Sequence, residues 1–204
     1  MELLPWLLAS YLLGAIPTSY LVVRLVKGQD LRLLGSGNLG ATNLYRTLGW
    51  RYALPVGVFD LLKGAVPVVV FGPRAGSGEL VPLLLGLAAL LGHVFSIFVS
   101  FRGGKGVATG AGIVLGLAPW AFVAALTVWA LVLALSGYVS LASITAALLL
   151  PPAVYLLAPE RRSLVGLFAL LAALIVFFHR ANIKRLLSGT EHRFGRRAKV
   201  VGGS

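Results

Sequence analysis

Along this chain, apolar runs of membrane-crossing length alternate with short polar stretches. Residues 3–23 carry no charge and come close to the about 20 residues that a membrane helix needs. Residues 27–51 are polar and glycine-rich, which predicts a loop. Residues 52–71 predict a second span, although Asp60 and Lys63 lie inside it. Residues 72–79 read as a Gly/Pro turn, 80–101 as a third span and 102–106 as a short basic glycine loop.

The apolar stretch 107–178 then runs to a basic tail at 179–199. The loops 27–51 and 102–106 share a side, because two spans separate them. If the tail lies there too, an even number of spans fills 107–178. Two spans of about 36 residues are too long, whereas four of about 18 fit. Breaks are available at Ala118-Pro119, at Ser136-Gly137 and at Pro159-Glu160-Arg161-Arg162, since proline stops a helix or turns the residue before it away from one. The expected architecture is all-α: a polytopic integral membrane protein of about seven transmembrane helices, forming a single domain over 1–204.

Charge sets the expected orientation. Of the 18 Lys and Arg residues, Lys63 lies within a span and Arg74, Arg161 and Arg162 fall on one side, which leaves 14 on the side of the two loops and the tail. Basic residues accumulate on the cytoplasmic side of membrane proteins, so the tail is expected inside and the N-terminus outside. Met1-Glu2 ahead of Leu3 lacks the basic start of a secretory signal, so the first segment reads as a span.

Composition narrows the chemistry. The chain is 58% apolar and only 12% charged, with a mean hydropathy of +0.93, far from a soluble domain. The net charge of +12 fits the membrane asymmetry, and without an aromatic-and-basic module nucleic acid is not an expected partner. Cysteine is absent, which excludes disulfides and thiolate chemistry. Three His residues without His-Glu-x-x-His spacing give no expected metal site, and no cofactor is expected.

Three polar segments carry candidate chemistry. Gly35-Ser36-Gly37-Asn38-Leu39-Gly40 matches the G-x-G-x-x-G pattern, but no strand precedes it, so a dinucleotide fold is not indicated. Its glycines allow close approach of backbone N–H groups to an anion, and Ser36, Asn38, Thr42 and Asn43 add neutral donors. Arg46 supplies a planar fork suited to phosphate. The second segment, Arg102-Gly103-Gly104-Lys105-Gly106, opens an apolar helix and offers a phosphate cradle at a helix N-terminus. In the third, His179, Asn182 and Arg185 recur every three residues and share one face if helical. Asp60 and Lys63 sit as a pair inside a span, either supporting the site or touching substrate. Ser140 and Ser143 follow a turn that parity puts on the cytoplasmic side; Ser143 is the candidate ligand of the two, with helix packing as the alternative.

Together GSGNLGATNLYR, GHVFSIFVSFRGGKGVAT and HRANIKRLLSGTE resemble, in order, the cytoplasmic motifs of the bacterial acyl-phosphate:glycerol-3-phosphate acyltransferase family. Asp60-Leu61-Leu62-Lys63-Gly64 is similar to a further family segment, and Ser96 departs from the family's common proline. The resemblance implies acyl transfer from acyl phosphate to the 1-hydroxyl of glycerol 3-phosphate. The products would be 1-acylglycerol 3-phosphate (lysophosphatidic acid) and phosphate, in the first step of phospholipid synthesis. It implies a bacterial inner-membrane location with a cytoplasmic site, contact with membrane lipid, and the soluble enzyme that makes acyl phosphate as a candidate partner. It carries Ser36, Arg46, Lys105, His179 and Asn182 over as the catalytic set. Gly37, Asn38, Gly40, Thr42, Asn43, Gly103, Gly104, Gly106 and Ser143 are the expected substrate- and phosphate-binding residues. Either His179 or the substrate phosphate is left as the base. No His-x-x-x-x-Asp pair is present, so direct attack is expected over a covalent acyl-enzyme. The competing reading is a transporter or flippase for a phosphorylated lipid or sugar.

Overall fold

The computed structural model describes residues 2–195 and is helical throughout, with no strand among them. Arg196, Arg197 and Lys199, counted above among the basic tail residues, lie outside the described residues. The helices are α1 (Leu3–Ala15), α2 (Thr18–Lys27), α3 (Ala41–Leu48), α4 (Trp50–Val66), α5 (Gly72–Ala75), α6 (Leu80–Val94), α7 (Val107–Leu117), α8 (Pro119–Ser136), α9 (Val139–Leu157), α10 (Val165–Phe178) and α11 (Arg180–Leu187). Six segments are long and apolar enough to span a membrane: Leu3–Lys27, Trp50–Ala75, Leu80–Val99, Pro119–Ser136, Val139–Leu157 and Pro159–Phe178. The seventh, α7, is apolar but has only 11 residues, about 16 Å of helix.

The expected breaks fall where the chain bends, at Ala118, Gly137 and Ala158. Other boundaries differ from expectation. The first span is broken at Ile16-Pro17, where proline biases the residue before it away from helix and the carbonyls of Ala15 and Ile16 fall outside the α-helical ladder. Two polar side chains from elsewhere take them: Ser96 Oγ donates to the Ala15 carbonyl, and Lys63 Nζ donates to Ile16 O at 2.8 Å. A helix break at membrane depth persists only where such partners exist. The second span does not end at Gly72. A π-helical turn at Pro67–Phe71 carries it into α5, whose second residue is Pro73.

Membrane helices gain little from burying apolar side chains against each other, so close backbone approach matters. Two helix pairs use reciprocal glycines. A Cβ on Gly64 of α4 would overlap the Thr109 carbonyl of α7, and one on Gly112 of α7 would overlap Leu61 O of α4. Gly14 of α1 and Gly92 of α6 stand in the same relation, against Ala89 O and Tyr11 O. Substituting alanine at Gly64 or Gly112 would force α4 and α7 apart.

The two ends of the bundle differ. At one end the turns before α6 and α10 meet, where Ser163 Oγ donates to Glu79 Oε2 at 2.8 Å and Arg161 lies 3.9 Å from Glu79. At the other end the loop 28–49, the loop 100–106, the α8–α9 turn and the tail converge. There Phe194 N donates to Gly137 O at 2.7 Å, and the Phe194 ring stacks on Tyr45 with centroids 4.6 Å apart.

Candidate functional site

A cavity of about 400 Å³ opens among these converging loops and runs down between α7, α8, α9 and α10. Its mouth holds Ser36, Asn38, Gly40, Thr42, Asn43, Arg46, Lys105, Gly106, His179 and Asn182; lower down the lining is apolar, with Val114, Phe122, Leu150 and Leu171. All five residues of the expected catalytic set therefore line one space, although they come from three separate chain segments.

The glycine-rich loop is organised from within. Asn43 is 1% exposed. Its Nδ2 donates to Leu34 O at 2.9 Å and Asn38 O at 3.0 Å, while its Oδ1 accepts from Ser36 N at 2.9 Å. Gly37 N donates to Leu34 O at 3.0 Å and Gly40 N to Asn38 Oδ1 at 2.9 Å. Those amides are engaged in shaping the loop, so Asn43 and Gly37 act as builders, and Gly37 does not line the cavity. The loop delivers Ser36, Thr42 and Arg46 to the mouth on and before the first turns of α3.

The second loop divides in two. Gly103 N donates to Val94 O at 2.9 Å and Gly104 N to His93 O at 3.1 Å. A Cβ on Gly103 would strike the His93 carbonyl, and one on Gly104 the His93 ring. This corrects the expected cradle: Gly103 and Gly104 have no free N–H for phosphate and serve to let the loop lie against His93. Gly106 has φ +77°, a left-handed conformation that turns the chain into α7 and suits glycine. The first-turn N–H groups of α7 have no partners within their own helix.

Lys105 Nζ donates to Asn182 Oδ1. Burial, helped by the nearby positive charge of Arg185, lowers the Lys105 ammonium to about 8. His179 Nδ1 lies 2.7 Å from Ile175 O. A carbonyl can only accept, so the proton sits on Nδ1 and leaves the Nε2 lone pair free. Burial lowers His179 to about 4, against the hydrogen bond to Ile175, so the ring is neutral at neutral pH.

Glu191 is the functional candidate that sequence reasoning passed over. Its Oε1 accepts from Asn182 Nδ2 at 2.7 Å and Ser140 Oγ at 3.1 Å; its Oε2 accepts from Arg185 Nε at 2.7 Å. Burial works to raise its carboxyl, but the hydrogen bonds from Asn182 and Arg185 prevail and hold it below the ordinary value. The signal was present: Glu191 is the one acidic residue in an otherwise basic tail. Ser143 also lines the cavity, but its hydroxyl donates to Val139 O at 2.8 Å and accepts from Trp129 Nε1 at 3.2 Å. Asp60 borders the cavity from α4, pairing with Lys63 at 2.7 Å and lying 3.9 Å from His93. Breaking such a buried pair from one side costs about 3–5 kcal/mol. Among the described residues no group of three or more His, Asp and Glu is placed to hold a metal.

Fold and site define an integral membrane protein whose cavity joins a cationic, hydrogen-bonding mouth to an apolar bore, a shape suited to amphipathic anions. The family model described as glycerol-3-phosphate acyltransferase matches residues 4–189, and the chain belongs to that family. Among curated relatives, the glycerol-3-phosphate acyltransferase of Geotalea daltonii is 46% identical over 190 residues, covering 93% of this chain and 96% of its own. That of Geobacter metallireducens is 50% identical over 188 residues, covering 92% and 95%. Two crystal structures of PlsY, an integral membrane glycerol 3-phosphate acyltransferase, superpose closely. The glycerol 3-phosphate form has a TM-score of 0.88 at 40% identity, covering 95% of this chain and 96% of that one. The lysophosphatidic acid form has a TM-score of 0.84 at 38% identity, covering 95% of each.

Proposed function

We propose that this protein transfers an acyl group from acyl phosphate to the 1-hydroxyl of glycerol 3-phosphate, at the cytoplasmic face of a bacterial inner membrane. One observation carries the reading: Arg46 and Lys105 stand at the mouth of a cavity whose lower walls are apolar. Both proposed substrates bear phosphate, and the donor also bears an acyl chain. Family membership supports the acceptor and weighs against a transporter.

In this reading Arg46 and Lys105 hold the phosphates, and Ser36 and Asn182 orient substrate oxygens. The glycerol hydroxyl oxygen attacks the acyl carbonyl carbon. The carbon–oxygen bond to phosphate breaks, and inorganic phosphate leaves with that electron pair. The hydroxyl proton goes to the free Nε2 of His179 or to the substrate phosphate. Acyl phosphate is already activated, so positioning and charge stabilisation suffice. The Ser36 hydroxyl has no hydrogen bond to a basic side chain among the described residues, which favours direct transfer over an acyl-serine.

The test is purified protein in detergent with glycerol 3-phosphate and, in turn, acyl phosphate, acyl coenzyme A and acylated acyl carrier protein as donors. Lysophosphatidic acid should form with acyl phosphate alone. Equal or better turnover with either thioester would overturn the assignment of the donor.

A further inference from the structure

The bore ends in a step that recurs on three helices. On α7, Ala111 is followed one turn deeper by Val114. On α9, Ala147 is followed by Leu150. On α8, which runs the opposite way, Ala125 is followed by Phe122; all six line the cavity. Small side chains keep the shaft open at one level, and bulky ones close it at the next. Leu171 completes the closed level from α10. Val114 is 1% exposed, Leu150 7% and Leu171 0%. Beyond them lies packed interior, since they belong to the same buried cluster as Leu117, Val154 and Phe168. From Ser140 at the mouth to Leu150 the wall of α9 measures about 15 Å.

We infer that the ring of Val114, Phe122, Leu150 and Leu171 sets the length of acyl chain the protein accepts. This rests on the acyl-transfer reading above and names the donor more narrowly. The head of the donor is fixed by the phosphate-binding residues, so the far end of its chain is fixed by whatever blocks the shaft. A chain that stops short leaves apolar wall uncovered, and one that is too long must displace Val114, Leu150 or Leu171 from the buried cluster, or Phe122, which packs against it. Close-packed interiors resist that displacement. Phe122 is the most adaptable member, because α8 is the least buried of the long helices.

The test uses purified full-length protein, saturating glycerol 3-phosphate and a series of saturated acyl phosphates of increasing length, reading kcat/KM against chain length. Leu150→Ala deepens the shaft and should move the optimum to longer chains. A donor two carbons beyond the wild-type optimum should gain about tenfold relative to the optimum itself, the scale of two more buried methylenes. Ala125→Leu fills the shaft on the loosely packed helix, creates no void and should move the optimum to shorter chains. It carries the test should Leu150→Ala melt prematurely in detergent. Unchanged length profiles in folded, active variants would overturn the ruler while leaving the acyl-transfer reading intact. A wild-type protein inactive with every acyl phosphate would overturn that reading, and the ruler with it.

Discussion

Asn182 donates to Glu191 at 2.7 Å with one end of its side-chain amide and accepts from Lys105 with the other. A neutral amide thus stands between the carboxylate of the mouth and the ammonium that the proposed mechanism assigns to phosphate. The arrangement orients Lys105 without letting Glu191 neutralise it by direct contact.

The pH dependence of acceptor binding follows. Burial holds Lys105 at about 8, below the ordinary lysine value. The ammonium is present below that pH and lost as pH rises through it. The kcat/KM for glycerol 3-phosphate, which reports the free enzyme, should therefore fall above about pH 8. The negative charge of Glu191 works to raise Lys105, so Glu191→Gln should move this limb to lower pH. Lys105→Arg, charged throughout, should remove the limb even if its activity is lower. A flat wild-type profile between about pH 7 and 10 would contradict the role given to Lys105.

Arg46 tests geometry separately from charge. It sits on α3 with its Nη2 3.4 Å from His192 O, and the proposal has its planar fork grip phosphate. Arg46→Lys keeps the charge and loses the fork. The expected fall in kcat/KM is about tenfold to a hundredfold, the scale of one charge-assisted hydrogen bond, with an unchanged melting temperature. Normal kinetics in a folded variant would remove Arg46 from the site.

Ser143 separates substrate contact from packing. Its hydroxyl holds the Trp129 indole at 3.2 Å, whereas Ser140 reaches Glu191. Ser140→Ala should raise the glycerol 3-phosphate KM more than Ser143→Ala does. The reverse order, measured by steady-state kinetics, would return Ser143 to the role of direct ligand.

Orientation is testable by labelling, because the chain has no native cysteine. Glu160 lies at the end marked by the Glu79–Ser163 contact, and Ser188 at the end of the cationic mouth. Cysteine at 160 should react with an impermeant reagent in intact cells, and cysteine at 188 only after permeabilisation. The opposite pattern would invert the topology.

Hydropathy made most of this architecture legible. Long apolar runs, proline breaks and the clustering of basic residues pointed to a helical membrane protein with its polar motifs at one end. What sequence could not supply was the internal economy of the loops. Gly103 looks like a phosphate donor in the sequence, yet its N–H is taken by Val94 O. Ser143 looks available, yet Trp129 occupies it. Hydrogen bonds between residues far apart in the chain decide both cases, and periodicity carries no record of them. The break at Pro17 was likewise hidden, because the partners that make it tolerable, Ser96 and Lys63, come from other spans.

The central claim is that a single cavity performs direct transfer between two phosphate-bearing substrates. The most direct measurement mixes stoichiometric enzyme with acyl phosphate, follows phosphate release on rapid quenching, and then adds glycerol 3-phosphate. The account predicts no phosphate burst before the acceptor arrives, and afterwards equimolar phosphate and 1-acylglycerol 3-phosphate. A burst of one phosphate per enzyme without acceptor would reveal an acyl-enzyme and contradict direct transfer; phosphate release without ester formation after the addition would contradict the proposed reaction itself.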